Sequence, residues 1–477
     1  MQIGKINANS ADDGFVISAK PAAHVGPGTL GALPGIIRAV GADQVVVVTD
    51  VALAQAPVIE KVLAVLADAG LPARLFAGVH PTPTSGDLAA GAGAVAAAAA
   101  DAATTAAASA SAAAVAAMLT PSAPLGAPFA PAAPHTPPTP HAPAAPHTPA
   151  VPLVAPPAGP SYLSGPHAVL QPSAPPAPTS LFASWLPASA PPAGARIALV
   201  AVGSGAPVDT AKGIAAASAP ALPIVAVPVP AGTGAETSAL GLIADPPSRA
   251  FTVGHVGTIP AAVILDPELA AGVPSAVIAG CGLDALTRAL ESYLALRPNP
   301  WSDGIALQVI RMVAASLPQA VMGGTDLAAR SQVLLAAHMA GVAAASTGLG
   351  LCHAIGRSLG ARWDIARGAA LAMLLPEVLR FNRPARLERM ADIAFALGVG
   401  DTHADTWLNA EAAIGAVTAL RDDVGLNRRM SDFGITEADF TQISADTLAD
   451  DLLASTPRPA AADDIHAILA AVASQSR

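Results

Sequence analysis

Short, wholly apolar runs alternate with helical stretches over the first part of the chain. DQVVVVTD, which ends at Asp50, has four consecutive valines and is typical of a parallel strand buried on both faces. Similar runs read ARLFAGV, ARIALVAV and PIVAVPV, and a shorter one, FVISA, occupies residues 15–19. Between them, apolar residues recur every three or four positions. The pattern predicts parallel strands joined by helices.

Asp50 stands just past the carboxyl end of the first of these strands, where open α/β sheets bind their ligands. There it either binds a ribose hydroxyl or caps the helix predicted over residues 51–70. The strand ARLFAGV leads into HPTPTSGD, whose prolines favour an extended backbone and whose Thr84 or Ser85 caps another helix. A strand, helix, strand, helix order is therefore expected up to about residue 100.

The composition changes sharply at this point. Residues 101–194 are mostly Ala, Pro, Ser and Thr with almost no charge, and such a segment buries too little apolar surface to offset its ordering entropy. We predict a disordered or loosely ordered insertion over these residues. His135, His141 and His147 recur in it every six residues and would share one face of a polyproline II helix, either as a metal or partner site or within a plain spacer.

Two Gly-x-Gly turns follow predicted strands after the insertion. Gly203, Ser204 and Gly205 precede a helix that begins near Pro207, and residues 232–234 follow the next strand. Small residues let backbone N–H groups approach a phosphate, and a helix N-terminus adds positive partial charge. Either turn is equally compatible with a tight connection in a parallel sheet, so neither alone establishes a cofactor site.

The chain from Pro274 onward has a different pattern. Apolar residues recur at three and four positions and alternating strand patterns are scarce, which predicts a helical bundle. The segment GLGLCHAIGRSLGARWDIARG within it starts with a Gly-rich turn and carries His353, then Arg357 four residues later and Arg367 fourteen residues later. These are the candidate chemical groups of this half.

Length, charge and cysteine content exclude some classes of function. The chain has 477 residues, a net charge of -10 and 24 Lys and Arg residues, which allows two or three domains and argues against a nucleic-acid partner. Cys281 and Cys352 are too few for a disulfide framework, so a reducing, cytoplasmic location is expected. The start lacks the pattern of a secretory signal, and the Ala-rich run at residues 88–119 is not apolar enough to span a membrane.

Five motifs occur in a fixed order along the chain: GSGAPVDTAK (203–212), AGTGAET (231–237), ILDPELAAGVP (264–274), GLDALTRALESY (282–293) and GLGLCHAIGRSLG (348–360). With these motifs the chain resembles the iron-containing alcohol dehydrogenase family, which includes the maleylacetate reductases. The resemblance covers nearly the whole chain except the insertion. It implies a dehydroquinate synthase-like fold, with an α/β dinucleotide-binding domain (residues 1–100 and 195–270) and an all-α C-terminal domain (residues 271–477).

The resemblance also implies where the cofactor NAD(P) binds. Asp50 would face the adenosine ribose, and an acidic residue there goes with NAD rather than NADP. The pyrophosphate and nicotinamide would lie along Gly203, Ser204, Gly205, Asp209 and Thr233. The family commonly has two threonines before AGTG, and this chain has Val229 and Pro230, which removes two hydroxyls and one N–H donor.

Family members bind a divalent ion, Fe²⁺ or Zn²⁺, through one Asp and three His. The corresponding positions here hold Asp284, Arg288, His353 and Arg367. A guanidinium stays protonated and has no lone pair to offer, so Arg288 and Arg367 are not ligands. Asp284 and His353 alone would hold a metal weakly, and His338 on a neighbouring helix is more typical of a packed core residue. The metal is expected from the family but has an incomplete ligand set.

Arg357 stands where many family members have a histidine thought to relay a proton near the nicotinamide, and it is the candidate catalytic residue. Arg288, Arg357 and Arg367 either converge where the ion would lie and bind or polarise an anion, or they are ordinary paired and solvated arginines of a decayed site. Asp284 with Arg288, and His353 with Arg357, are each four residues apart, so each pair shares a helix face.

Two functions from different classes follow. The first is an NAD(P)-dependent oxidoreductase that interconverts an alcohol and an aldehyde or ketone, with a substrate bearing a carboxylate or phosphate if activity is metal-free. The second is a catalytically silent relative that keeps the dinucleotide loops as a binding or scaffold protein. The expected partners are a small alcohol, aldehyde or oxoacid and, from the family, a second copy of the chain; neither nucleic acid nor membrane is expected.

Overall fold

The computed structural model describes residues 21–119, 196–245, 249–253, 256–323 and 326–474. The chain divides into two compact units, Met1–Thr105 with Ser180–Arg477, and Ala106–Thr179. All side chains discussed below belong to the first unit. The apolar run at residues 15–19, the three histidines of the insertion and the insertion from residue 120 onward lie outside the described residues.

The described strands form one parallel sheet and one antiparallel hairpin. They are β1 (Ala22–Val25), β2 (Gln44–Asp50), β3 (Ala73–Val79), β4 (Ile197–Gly203), β5 (Ile224–Pro228), β6 (Gly241–Asp245), β7 (Arg249–Val253) and β8 (Ala262–Leu265). The parallel sheet has the order β1-β8-β5-β4-β2-β3, and β6 pairs with β7. The strands predicted from the apolar runs are confirmed at β2, β3, β4 and β5.

Helices make up most of the remaining described chain. They are α1 (Leu33–Ala39), α2 (Pro57–Asp68), α3 (Ser85–Leu119), α4 (Gly205–Ala217), α5 (Ser275–Leu294), α6 (Pro300–Met322), α7 (Leu327–Thr347), α8 (Leu351–Trp363), α9 (Arg367–Asn382), α10 (Leu387–Ala396), α11 (Thr406–Asp423), α12 (Phe440–Leu448) and α13 (Ala462–Ser474). The first four belong to the sheet domain and the other nine form the predicted helical domain.

Two predicted boundaries are wrong. Helix α2 begins at Pro57 and not directly after Asp50, because Asp50 Oδ1 accepts from the N–H of Leu53 at 2.9 Å and closes a turn instead. Pro57 then starts the helix, since a proline at the first helical position lacks only an N–H that would be unpaired. Helix α3 continues to Leu119, so residues 101–119 are not disordered; alanine has the highest helix propensity. Otherwise the domain boundaries stay predictions.

The hydrophobic core is continuous between the sheet and the helical domain. On one face of the sheet, Val45 and Val47 pack with α1 and α2. On the other, Val46 and Val48 belong to a cluster that also contains Ile214 of α4 and the buried residues of the C-terminal helices. Because that cluster joins the two domains, the carboxyl ends of the strands and the start of α5 are held in one place.

Two described helices, α6 and α7, are long and apolar enough to cross a membrane by length and composition alone. Both pack against α5 and against each other. Buried residues of both helices, such as Val309 and Ala337, belong to the common hydrophobic core. Packing of this kind is what a core helix of a globular domain shows, since a helix that is apolar on most sides buries them against its neighbours.

Candidate active site

Small and polar residues line the carboxyl edge of the parallel sheet. The register pairs Gly203 of β4 with Pro228 of β5, so the residues after both strands meet at this edge, beside Asp50 at the end of β2. Gly203 has a φ of 133°, which favours glycine. A Cβ there would lie 2.9 Å from Pro207 Cγ and 3.1 Å from an Asp50 carboxylate oxygen. Only a glycine suits this turn.

The N-terminus of α4 opens toward this edge. Ser204, which precedes the helix, makes no side-chain cap hydrogen bond. A Cβ on Gly205 would lie 3.1 Å from Thr233 Oγ1, so the start of α4 and the loop after β5 approach closely. Uncapped N–H groups at a helix N-terminus are suited to a phosphate. The residues present therefore fit a dinucleotide, and their individual roles stay predictions.

Lys212, which was not singled out from the sequence, ties α4 to the loop after β5. Its side chain is fully buried, and its Nζ donates to the carbonyl oxygens of Ala235 and Leu240 and to Ser238 Oγ. Asp209 Oδ1 lies 3.8 Å from this Nζ. Burial lowers the pKa of Lys212 and raises that of Asp209, and each charge partly offsets the other's shift. The sequence signal for this buried role was a lysine three positions after an aspartate in an otherwise apolar helix.

Asp284 on α5 is the centre of a buried charge cluster. Its Oδ1 accepts from Arg288 Nε at 2.9 Å, and its Oδ2 accepts from Arg367 Nε at 2.7 Å. His353 Nε2 lies 3.3 Å from Oδ1, and the side chains of Asp284 and His353 are only 4% and 3% exposed. The structure thus brings together all four residues that the resemblance placed at the metal position.

The two arginines keep this carboxylate ionised. Burial by itself would raise the pKa of Asp284, but Arg367, Arg288 and His353 together hold it well below its usual range. Burial lowers the pKa of Arg288, and the nearby charge of Asp284 opposes that change. Burial also favours a lower pKa for Arg367, but Asp284 outweighs it and the pKa of Arg367 is raised. Guanidinium groups remain charged in proteins. One negative and two positive charges therefore share the centre of the cluster.

A divalent ion does not fit this set of residues. Both oxygens of Asp284 already accept an Nε–H from an arginine, and the two guanidiniums would repel a cation. Among the described residues there is no group of three or more His, Cys, Asp or Glu side chains arranged to hold a metal. Catalytic metal sites generally use at least three protein ligands. The chemistry of the donors therefore disagrees with the metal that the family implies.

Glu291, also not singled out from the sequence, positions His353. One of its oxygens, Oε2, lies 2.6 Å from His353 Nδ1 and accepts the N–H of Gly350 at 3.0 Å, and Oε1 accepts the N–H of Cys352 at 2.8 Å. Burial would raise the pKa of Glu291, but His353 and these N–H groups hold it below its usual value. Its position seven residues after Asp284, two turns along the same helix face, was the available signal.

Two other predicted groups lie elsewhere. Arg357 Nη1 donates to both oxygens of Asp450, at 3.2 and 3.3 Å, and its side chain is 40% exposed. The expectation that Arg357 converges with the other two arginines is therefore wrong, because an ion pair outside the cluster holds its guanidinium. His338 Nδ1 lies 3.2 Å from Glu236 Oε1 in the core and does not replace a metal ligand.

A dinucleotide cradle at the carboxyl edge of a parallel sheet, facing a charged site on a helical domain, defines a class of nicotinamide-dependent oxidoreductases. The family model described as iron-containing alcohol dehydrogenase matches residues 21–127 and 193–267, and the model of the C-terminal part of the Fe-containing alcohol dehydrogenase family matches residues 278–473. The chain belongs to the iron-containing alcohol dehydrogenase family. The predicted family and fold are confirmed; membership of the maleylacetate reductases stays a prediction.

Individual relatives agree with this family. The probable alcohol dehydrogenase EutG of Escherichia coli (strain K12) is 43% identical over 253 residues, which cover 53% of this chain and 62% of that protein. The NAD-dependent methanol dehydrogenase of Bacillus methanolicus is 33% identical over 289 residues, covering 57% of this chain and 76% of that protein. A crystal structure of a 1,3-propanediol oxidoreductase superposes with a TM-score of 0.73 at 26% identity, covering 96% of this chain and 100% of that one.

Proposed function

We propose that the protein is an NAD(P)-dependent oxidoreductase that interconverts a small alcohol and an aldehyde or ketone, using two arginines where its family uses a metal ion. The observation that carries the proposal is the pairing of Arg288 and Arg367 with Asp284, together with the glycine turn at Gly203 and the uncapped N-terminus of α4. The relatives named as alcohol dehydrogenases support the reaction class, and the NAD-dependent methanol dehydrogenase supports NAD.

The cofactor is held by the carboxyl edge of the sheet. The backbone at Gly203 and the uncapped N-terminus of α4, against which Thr233 lies, would hold the pyrophosphate, and Asp50 would face the adenosine ribose. The nicotinamide supplies a carbon that donates or accepts a hydride. Val229 lacks the hydroxyl common at its position, and the buried Lys212 instead fixes the loop that follows it.

The arginines act on the oxygen of the substrate. In the reducing direction a bound nicotinamide would supply the hydride to the carbonyl carbon, and the oxygen would take a proton from solvent. Negative charge develops on the oxygen during this step, and fixed cations placed there stabilise it. Arg288 and Arg367 are held for this by Asp284, and His353 is held by Glu291. Arg357 stands at the position where many family members have a proton-relaying histidine, but it stays protonated and pairs with Asp450, so it does not relay this proton.

Steady-state assays test this function. We expect the purified full chain to oxidise NADH or NADPH with some member of a panel of aldehydes, ketones and oxoacids, at a rate that a chelator does not change. Gly203→Ala should abolish dinucleotide binding, because the new Cβ would meet Pro207 at 2.9 Å. Gly41→Ala is the matched control, since Gly41 also has a positive φ, of 80°, but nothing lies within 4 Å.

The same assays separate the second candidate, a silent dinucleotide-binding relative. It is favoured by the way both Asp284 oxygens are satisfied within the protein, as in a purely structural ion cluster. NADH binding with no turnover on any member of the panel would contradict the oxidoreductase and support this relative. A rate lost on chelation would contradict the metal-free site.

The proposal includes a cytoplasmic location and self-association of the chain. Cys281 and Cys352 are both free thiols, and burial raises the pKa of each. Thiols of this kind suit a reducing, cytoplasmic location. Self-association is carried over from the family alone, and the elution volume of the purified chain on a calibrated column would test it.

A further inference from the structure

Arg288 keeps four of its five N–H donors unused among the described residues. Its Nε is bonded to Asp284, and its side chain is 8% exposed. Neither Nη atom has a hydrogen-bond partner among the described residues, and neither is fully buried. The position of a Cβ on Gly234 would lie 3.4 Å from Nη1, so the guanidinium sits under the loop that follows β5. A charged group this buried, with open donors at the cofactor loop, is available to a ligand.

Arg367 adds a second set of donors on the other side of Asp284. Its Nε is bonded to Asp284 Oδ2, its side chain is 38% exposed, and its Nη2 is buried without a partner. Arg367 is the first residue of α9, and like Arg288 it is bonded to Asp284. The two arginines therefore flank one carboxylate, and Arg288 borders the loop that follows β5.

Within the pair itself, two guanidiniums face one carboxylate. The other carboxylates nearby contact other side chains: Asp209 is 3.8 Å from Lys212, Glu236 is 3.2 Å from the ring of His338, and Glu291 is 2.6 Å from the ring of His353. Arg288 and Arg367 share the single carboxylate of Asp284. Two guanidiniums carry the same charge as one divalent ion, but they present N–H donors rather than empty coordination positions.

We propose that Arg288 and Arg367 form an oxyanion site and that the protein prefers a carbonyl substrate that carries a carboxylate, such as a short oxoacid. A carboxylate offers two coplanar oxygens that match the paired donors of a guanidinium. The neutral alcohols and aldehydes that suit a metal site offer no such group. This inference rests on the proposed function only in taking the carbonyl of the same molecule as the group that is reduced.

Calorimetric titration of the NADH-loaded full chain with sodium oxalate tests the site without turnover, because oxalate is not reduced. We expect saturable binding that Arg367→Gln weakens at least about tenfold, as loss of a charge-assisted hydrogen bond requires. Arg367→Lys keeps the charge but not the paired donors, so its affinity for oxalate should lie between those of the parent and of Arg367→Gln. Arg362→Gln is the matched control, since Arg362 is equally exposed but pairs with Asp446, and it should bind oxalate as the parent does.

Several outcomes would overturn the oxyanion site: no oxalate binding, equal binding by Arg367→Gln, or equal binding of the neutral analogue oxamide. Inorganic phosphate in place of oxalate shows whether the site takes any oxyanion or prefers a carboxylate; tighter phosphate binding would overturn the carboxylate preference. Thermal unfolding of each variant confirms that it is folded.

The two proposals fail in different ways. Reduction of acetaldehyde without oxalate binding would refute the oxyanion site and leave the oxidoreductase standing. Oxalate binding without reduction of any carbonyl would refute the oxidoreductase and leave the oxyanion site standing. If both hold, glyoxylate should have a higher kcat/KM than acetaldehyde, and Arg367→Gln should lower kcat/KM for glyoxylate by a larger factor than that for acetaldehyde.

Discussion

Asp284 is the one residue whose charge the rest of the cluster requires. It lies on α5, is nearly inaccessible to solvent, and accepts hydrogen bonds from arginines on two different helices. The pairing with Arg288 was predictable, because residues four apart share a helix face. The pairing with Arg367 was not, since it depends on where α9 crosses α5, and no local pattern reports such a crossing. Arg357 is four residues after His353 and shares its helix face, but its guanidinium pairs with Asp450 outside the cluster.

Asp284→Asn tests how much the cluster depends on this charge. Removing one partner of a buried ion pair leaves an uncompensated charge and costs about 3–5 kcal/mol of unfolding free energy. Urea unfolding followed by circular dichroism would measure this loss. Asp43→Asn is the control, because its pair with Arg196 is on the surface and is worth about 1 kcal/mol or less. Equal losses for the two variants would contradict a buried cluster.

The depressed pKa of Glu291 predicts a pH dependence of stability. Since its pKa is lower in the folded than in the unfolded protein, the unfolded state binds the proton more readily, and the stabilisation is complete above about pH 5 and lost as the pH falls toward the folded pKa. The unfolding free energy should therefore fall on acidification, and fall less steeply in Glu291→Gln. Urea titrations of both proteins at neutral and acid pH measure the slopes, and identical slopes would refute the assignment.

At the scale of elements, the site depends on a close crossing of α5 and α9. A Cβ on Gly368, the second residue of α9, would lie 2.3 Å from the carbonyl oxygen of Gly280 in α5. The missing side chain of Gly368 permits this approach, whereas a Cβ on Gly280 would make only an ordinary contact of 3.7 Å with Gly368 Cα. Arg367 Nε, at the start of α9, then lies 2.7 Å from Asp284 Oδ2. The helices themselves followed from apolar periodicity. Their crossing did not, because side-chain packing over the whole domain decides it.

Gly368→Ala should therefore separate the two helices and weaken the hydrogen bond between Arg367 and Asp284. We expect a loss of about 1–3 kcal/mol in unfolding free energy from overpacking, together with weaker oxalate binding. Gly415→Ala, in the middle of α11 with nothing within 4 Å, is the control and should stabilise the protein by about 0.5–1 kcal/mol, as expected for an exposed helix interior. A Gly368→Ala protein as stable as the control would contradict the crossing.

For the whole molecule, the sequence predicted the architecture better than the site. Runs of buried valines identified β2, and small residues identified the turns after β4 and β5, because burial and backbone space are local requirements. The turn at Asp50 was missed because its side chain bonds the N–H of Leu53 instead of capping a helix. The length of α3 was missed because the high helix propensity of alanine outweighs the low-complexity composition. The roles of Lys212 and Glu291 depend on long-range contacts that no spacing shows.

The two halves of the cleft have diverged differently from the family. The strand edge has the glycine turn at Gly203 and an uncapped helix N-terminus, whereas two of the four positions that the resemblance assigns to metal ligands hold guanidiniums that Asp284 already binds. The central claim is that this exchange removes the metal and keeps its positive charge. The residues that would restore the ion are consequently predictable from the structure.

A metal titration tests that claim most directly. The purified chain and its Arg288→His/Arg367→His variant would be stripped with chelator, titrated with Zn²⁺ or Fe²⁺, and analysed for bound metal. We predict far less than one tightly bound ion per chain in the parent and about one in the variant, where two imidazoles would join Asp284 and His353 around one point. One tightly bound ion per chain in the parent would contradict the account.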